Sequence, residues 1–390
     1  MKNGGEQMDF EFMTSERIVF GIGTIKHIGK IASTLGKQAL IVCGSGSVDL
    51  NPIIAQLKSF DVNYEVFHVS IEPNIEMVEA GLILSKRSNC EFVIGFGGGS
   101  VIDAAKAIAV MMTNSGTLLD YLEIIGQGKP ILHKPADVIA VPTTAGTGTE
   151  VTKNAVISSP EHKLKVSLRS PMMIPKVALI DPELTISMPQ AITASTGMDA
   201  LTQLIEAFIS KKANPLTDSL IREGVRRASR SLRVAYHEPG NIQAREDMCL
   251  ASLIGGMALA NAGLGAVHGF AAVIGGMFDA PHGEVCACLL PAVVQENIAA
   301  IKATNPDSPY LDKFKEIATL LLDDEQANIE DSIKYLVELK KDLKIRNLSD
   351  FGIEQTNYSK IVENARMASS MQKNPIVLPE FRLYEILNIS

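Results

Sequence analysis

The sequence has no long block of lysine and arginine, no Cys-x-x-Cys pair, no uninterrupted apolar run long enough to span a bilayer, no internal repeat and no low-complexity tract. Each absence removes a class of function. With 36 Lys plus Arg against 44 Asp plus Glu, a net charge of −8, the chain is a poor match for nucleic acid or an anionic membrane, which are bound mainly by neutralising phosphate charge. A small metabolite is the better partner. A spanning helix needs roughly 18 consecutive apolar residues, and a secretory leader needs a basic start followed by an apolar run. The stretch from Met1 to Met13 is instead polar and carries Glu6, Asp9 and Glu11. A cytoplasmic protein is expected. The five cysteines, Cys43, Cys90, Cys249, Cys286 and Cys288, are odd in number and scattered, which suits reduced, mostly buried thiols rather than a disulfide framework.

What is present is a chain of 390 residues, 46% hydrophobic and 21% charged, long enough for two domains of about 100–200 residues, each with its own core. In the first half, Gln38–Cys43, Asn63–His68, Cys90–Gly95, Asp137–Val141 and Lys176–Asp181 are short apolar runs separated by helical stretches. That alternation predicts a parallel sheet covered on both faces. From about Pro189 the strand signals stop, and Ala191–Lys211, Pro215–Tyr236, Ile242–Leu264, the apolar stretch after Val267 and Asp331–Leu343 carry helical spacing. The expected architecture is an α/β nucleotide-binding domain over residues 1–189 and an all-helical metal and substrate domain over 190–390. No flexible linker separates them, so they should pack around a shared cleft. The last 50 residues give the weakest signals.

Two turns and one scattered cluster carry chemistry. Gly95-Phe-Gly97-Gly98-Gly99-Ser100 ends a strand and runs directly into a helix, which brings backbone N–H groups and a helix N-terminus to a phosphate. Taken alone it reads equally as a tight turn. Asp103, in the first turns of that helix, could simply offset the dipole. The turn Pro142-Thr143-Thr144-Ala-Gly-Thr-Gly-Thr-Glu150 offers hydroxyls and flexible amides to a pyrophosphate or ribose, and two such turns on one sheet make a nucleotide crevice. Farther on, Asp199 and Gln203 share a helix face, while His268 and His282 lie in a glycine-rich, apolar region with almost no charge. One carboxylate and two imidazoles are ligands suited to Zn²⁺ or Fe²⁺ with open positions; the bland alternative is a helix cap and two satisfied core histidines. Cys286 is four residues beyond His282 and could in principle share a metal with it, but reads better, with Cys288, as a small buried residue. His27, His68, His133, His162 and His237 read as surface or structural. Arg226, Arg227, Arg230 and Arg233 read as a solvated or subunit-contact face.

Together these motifs resemble the iron-containing (group III) alcohol dehydrogenase family, within the dehydroquinate synthase-like superfamily. Phe20-Gly-Ile-Gly23, Gly95 through Lys106, Pro142 through Glu150, Asp181-Pro-Glu-Leu184, Gly197-Met-Asp-Ala-Leu-Thr202, Asn261 through His268 and Pro281-His-Gly283 run in the family order. The resemblance implies a dinucleotide-binding α/β domain followed by an all-α domain that holds the metal. It implies NADP or NAD, a divalent metal (Fe²⁺ or Zn²⁺), hydride transfer to or from a small alcohol, aldehyde or ketone, and a homo-oligomer, expected to be a dimer. Position by position, Gly97, Gly98, Gly99, Ser100 and Asp103 would line the pyrophosphate and nicotinamide, with Thr143, Thr144 and Lys165 bordering the same groove. Pro73 and Asn74 would meet the adenine side, Asn154 would line the substrate pocket, and Asp199, His268 and His282 fall on metal-ligand and catalytic positions.

Three departures from the family pattern matter. Gln203 stands where the family usually has a histidine ligand, and as a ligand candidate it offers only a neutral amide oxygen. Ala272 replaces another family histidine, so water or a cofactor ribose hydroxyl would have to relay the proton. Gly44 and Ser45, in Gly44-Ser-Gly-Ser47, stand where NAD-selective members often carry an aspartate, and a small loop without a carboxylate can admit the 2′-phosphate of NADP. With Asp199 as the single negative ligand, a divalent ion keeps net positive charge for polarising a carbonyl. The rival readings are a metal-independent reductase of the maleylacetate-reductase kind, a cofactor-binding relative with lost or altered catalysis, and a lyase or synthase similar to dehydroquinate synthase.

Overall fold

A computed structural model describes residues 9–46, 49–70, 72–162, 164–278 and 280–390. Its strands are β1 (Arg17–Phe20), β2 (Gln38–Gly44), β3 (Asn63–Val69), β4 (Phe92–Gly97), β5 (Val138–Pro142), β6 (Asn154–Ser159), β7 (Leu164–Arg169) and β8 (Val177–Ile180). Six of them form a parallel sheet in the order β1-β8-β5-β4-β2-β3, and β6 and β7 form a separate antiparallel hairpin. Along β2, Leu40 and Val42 join the core on one face while Ala39, Ile41 and Cys43 join the core on the other. Helices α1 (Ile28–Ala32) and α2 (Asn51–Ser59) cover the second face through Ile28, Ile53 and Leu57. Helices α3 (Ile75–Arg87) and α4 (Gly99–Thr113) cover the first through Val78, Val101 and Ile108, with the short α5 (Leu118–Tyr121) beside them. Burial on both faces is why these strands read as nearly continuous apolar runs.

The five strands expected from the sequence are present, with ends shifted by one or two residues. The sequence reading missed β1, a half-buried edge strand of 4 residues, and the β6–β7 hairpin. The hairpin alternates buried and open positions, so it has no continuous apolar run to find. Between β2 and β4 the strand order reverses: the chain steps from β2 outward to β3 and returns on the other side of β2 to β4. The crevice beyond the carboxyl ends of strands at such a reversal is where parallel α/β sheets take ligands. Here those ends carry residues 44–46 and Gly97–Ser100.

No strand occurs among the described residues after β8. Instead come α6 (Gln190–Phe208), α7 (Pro215–His237), α8 (Ile242–Ala262), α9 (Ala266–Met277), α10 (His282–Thr304), α11 (Pro309–Leu322), α12 (Ile329–Asp342), α13 (Gln355–Met367) and α14 (Glu380–Ile389). α6 is the central one, packed by α7, α8 and α10, with Met198, Leu201, Leu204, Ile205 and Phe208 all buried. α7 starts where Asn214 caps the N–H groups of Leu216 and Thr217 ahead of Pro215, a pairing that satisfies donors with no intrahelical partner. α10 is long and apolar enough by composition to cross a membrane, although 83% of its most apolar window is buried inside the fold.

The arginine stripe on α7 is partly solvated, with Arg226 and Arg230 exposed, but it is also paired across helices. Asp247 on α8 accepts from Arg227 at 2.6 Å, Arg230 at 2.7 Å and Ser231 at 2.6 Å, and Arg233 pairs with Asp342 on α12 at 2.8 Å. The carboxylates come from helices distant in sequence, so α7 alone does not reveal them.

One contact joins the sheet to the helices with no side chain between them. Gly148, in the second polar turn, has φ +60°, and a Cβ there would lie 2.5 Å from the Cα of Gly256 on α8. A Cβ on Gly256 would in turn lie 2.2 Å from the Gly148 carbonyl oxygen. Gly256→Ala is expected to destabilise the protein by about 1–3 kcal/mol through overpacking, read as a lower urea midpoint at unchanged slope; a midpoint equal to the parent's would contradict this close approach.

Candidate functional site

At the end of β4 the chain turns at Gly98 directly into α4, and no side chain caps that helix. The N-terminal N–H groups and the positive end of the helix dipole therefore face the crevice. The second turn lies against the first: the Thr143 N–H donates to the Gly97 carbonyl at 3.0 Å. A Cβ on Gly98 would come within 3.4 Å of the Thr144 side chain, and one on Gly99 within 2.9 Å of Thr147. Side chains there would fill the cradle that a pyrophosphate needs. Ser100 occupies the first turn of α4 beside them.

Both oxygens of Asp103 are engaged: one accepts from the Thr149 hydroxyl, the other from the Val156 N–H at 2.9 Å. It ties α4 to the second turn and to the hairpin, a more specific task than offsetting the dipole. Lys106 is buried beside it and donates to the hydroxyls of Thr149 and Thr152 at 2.9 and 3.0 Å. Asn74 caps α3 by accepting from the Met77 N–H at 2.9 Å, and the Pro73 carbonyl accepts from the Ser158 N–H at 2.7 Å. Gly44 and Ser45 close β2, where the Ser45 N–H donates to the Val69 carbonyl at 3.0 Å; Ser47 lies outside the described residues. Lys165 pairs with Glu72 at 2.7 Å, and its Nζ would lie 3.3 Å from a Cβ on Gly275 of α9, so it bridges the hairpin and the helical side. Asn154 is half-buried at the start of β6.

The metal candidates converge from three helices. Asp199 sits midway along α6 and is 2% exposed. His268 is in the first turn of α9, and His282 begins α10. The Pro-His-Gly sequence at α10 has a packing reason: a Cβ on Gly283 would lie 2.5 Å from the Ser195 carbonyl oxygen, so only glycine lets α10 meet α6 there. Asp199 Oδ1 then lies 3.3 Å from His268 Nε2 and 3.7 Å from His282 Nε2. That oxygen is buried and has no hydrogen-bond partner among the described residues, an arrangement that costs about 1–3 kcal/mol or more unless something positive fills it. Burial opposes ionisation of Asp199, yet the facing imidazoles hold its carboxyl below the usual range. Burial likewise opposes charge on His268, but Cys286, Asp199 and Glu206 hold it well above the ordinary imidazole value. Cys286 and Asp199 raise His282 against burial. The cluster is a place for positive charge, and its oxygen and nitrogen donors fit a divalent transition ion.

Two further participants join the cluster, of which the sequence reading missed the first and discounted the second. Glu206, two turns beyond Asp199 on α6, accepts from the N–H of Val267 at 2.6 Å and of His268 at 3.3 Å, and lies 2.7 Å from His268 Nδ1. One carboxylate thus caps α9 and sits as a hydrogen-bond acceptor at Nδ1, so that Nε2, facing Asp199, is the ring nitrogen placed to ligate an ion that displaces its proton. Its seven-residue spacing from Asp199 was visible, but its partner lies 62 residues away. The second is Cys286, for which the sequence favoured plain packing over sharing a metal with His282; its Sγ lies 3.6 Å from His282 Nε2 and 3.9 Å from His268 Nε2. Gln203, the remaining ligand candidate, lies beside the cluster: its amide nitrogen faces Asp199 Oδ2 at 3.1 Å and the Gly146 carbonyl at 3.4 Å, while its amide oxygen is buried with no hydrogen-bond partner among the described residues. Ala272, one turn beyond His268, is exposed and adds no proton-carrying group. Cavities of about 400 Å³ at the amino ends of β5 and β8 and about 570 Å³ between α13 and α14 are lined by no histidine or cysteine.

With this geometry in hand, comparison with known proteins is informative. The family model described as "Iron-containing alcohol dehydrogenase" matches residues 15–182, and "Fe-containing alcohol dehydrogenase family, C-terminal" matches residues 193–389. The 1,3-propanediol dehydrogenase of Klebsiella pneumoniae is 35% identical over 380 residues, covering 94% of this chain and 95% of that protein. A crystal structure of a 1,3-propanediol oxidoreductase superposes with a TM-score of 0.90 at 34% identity, covering 98% and 99% of the two chains. The sulfoacetaldehyde reductase of Bifidobacterium kashiwanohense, solved in complex with NAD⁺, superposes with a TM-score of 0.86 at 29% identity and 98% coverage of each chain.

The Glu206 geometry yields a test. In Glu206→Gln the amide can donate to His268 Nδ1 and drive the ring proton onto Nε2. Affinity for Zn²⁺, measured by chelator competition, is expected to fall about 10- to 100-fold, whereas an unchanged affinity would show that the carboxylate does not set the tautomer.

Proposed function

We propose, from the premise that this chain belongs to the iron-containing alcohol dehydrogenase family, that it interconverts a small alcohol and the matching aldehyde or ketone as a metal-dependent, nicotinamide-linked oxidoreductase. The observation that carries the reading is the approach of Asp199, His268 and His282 to one point on the helical side of the crevice. When bound, the ion supplies Lewis-acid polarisation of the substrate oxygen and the nicotinamide gives or takes the hydride.

The chain's own groups bind and orient. Asp199, His268 and His282 would hold the ion, Glu206 keeps His268 in the ligating tautomer, and the Gln203 amide holds the second oxygen of Asp199. Gly97, Gly98, Gly99 and Ser100, with Thr143 and Thr144 opposite, would cradle the pyrophosphate against the start of α4. Asp103 and Lys106 keep the two turns in register. Asn154 and Lys165 would border the substrate and nicotinamide end, and Pro73 and Asn74 the adenine end. With alanine at 272, solvent or a cofactor ribose hydroxyl would carry the proton between the substrate oxygen and bulk water.

Several finer points belong to the same reading. Residues 1–189 form its nucleotide half and 190–390 its metal and substrate half. Five free thiols accord with a cytoplasmic location. Residues 44–46 at the end of β2 carry no carboxylate to repel a 2′-phosphate, so the enzyme would accept NADP(H) as well as NAD(H).

Two measurements check this. Asp199→Ala should lose bound metal and lower kcat/KM by about three orders of magnitude or more, the several kcal/mol that a metal supplies to developing charge. Retained turnover in metal-free protein would favour a metal-independent reductase instead. Kinetic constants for NADPH and NADH with one carbonyl substrate should be of the same order; strict selectivity for NADH would sink the cofactor assignment.

A further inference from the structure

We propose that Cys286 is a fourth protein ligand of the metal site, completing an Asp–His–His–Cys set that selects a thiophilic divalent ion such as Zn²⁺ or Co²⁺. The proposal rests on the reading that Asp199, His268 and His282 hold a metal. Cys286 is fully buried and lies one turn beyond His282 on α10, on the same face. The donor atoms of Asp199, His268, His282 and Cys286 all lie within 4.8 Å of one another. Around an ion with bonds to nitrogen and oxygen of about 2.0–2.2 Å and to sulfur of about 2.3 Å, tetrahedral angles put neighbouring donors about 3.3–3.6 Å apart. The separations are 3.3 and 3.7 Å from Asp199 Oδ1 to the two imidazoles, and 3.6 and 3.9 Å from Sγ to the same nitrogens. Plain hydrophobic packing would bury the thiol, but it gives no reason for both Nε2 atoms to face the sulfur. The buried Asp199 Oδ1, which has no hydrogen-bond partner among the described residues, is an independent sign that a cation completes the cluster.

Cys288 shows the contrast. Two residues on, rotated by about 200° around the helix, its Sγ donates to the Ser390 carbonyl at 2.9 Å and takes no part in the cluster. Coordination by Cys286 exchanges the Sγ–H proton for the ion, and the proton leaves to solvent. A thiolate ligand favours Zn²⁺ and Co²⁺ over Mg²⁺ or Mn²⁺. Alcohol and carbonyl chemistry would then need the substrate oxygen to enter as a fifth donor, an expansion that catalytic zinc allows, and cysteine itself is a ligand of catalytic zinc in another class of alcohol dehydrogenase. His282, 38% exposed at the side chain, marks the side from which a substrate reaches the site.

The test is Co²⁺ loading of the full-length protein, followed by absorption and metal affinity. The parent should show the intense near-ultraviolet sulfur-to-cobalt charge-transfer band, and Cys288→Ser should keep it. Cys286→Ser and Cys286→Ala should lose the band and bind Co²⁺ about tenfold or more weaker, with circular dichroism unchanged. Parent protein that binds one Co²⁺ without the band, or Cys286→Ala with parental spectrum and affinity, overturns the cysteine ligand and leaves the three-ligand site standing. Parent protein that binds no Co²⁺ or Zn²⁺ at all overturns the metal reading as well.

Discussion

The Asp199 carboxylate is the constraint on which the helical half depends. It is buried in the middle of the central helix, and one of its oxygens faces two imidazoles and a thiol without a hydrogen-bond donor in line. An isolated buried carboxylate costs several kcal/mol, so such a residue persists where the surroundings hold it or a cation joins it. The surroundings here are specific. Gln203 binds the other oxygen, and three helix segments bring the remaining donors to the same point.

The same economy of contacts links this cluster to the nucleotide side. α6 carries Asp199, Gln203 and Glu206 on one face, and each reaches a different part of the molecule. Asp199 meets His268 and His282, Gln203 meets the carbonyl of Gly146 in the second glycine-rich turn, and Glu206 caps α9. The close approach of Gly148 to Gly256 holds that turn against α8. Hydride transfer requires donor carbon, acceptor carbon and polarising ion to be held in near-attack geometry. A backbone contact between the two halves provides a stiffer frame for this than long side chains would.

Much of this was legible in the residues. β2, β4, β5 and β8 announced themselves because they are buried on both faces, and His268 and His282 stood out as polar groups in an apolar, glycine-rich setting. What stayed hidden has a common physical cause: it depends on pairings between distant elements. The β6–β7 hairpin buries only alternate positions, so its signal is weak. Glu206 becomes meaningful only when α9 begins beside it, Cys286 only when the rotation of α10 turns its sulfur inward, and the α7 arginines only when Asp247 and Asp342 arrive from other helices.

If the donors gathered around Asp199 hold a metal ion, crystals of the Zn²⁺-loaded protein should give, in anomalous diffraction at the zinc edge, one dominant peak within bonding distance of Asp199 Oδ1, His268 Nε2 and His282 Nε2; a peak elsewhere, with none among these three side chains, would contradict metal binding at this cluster.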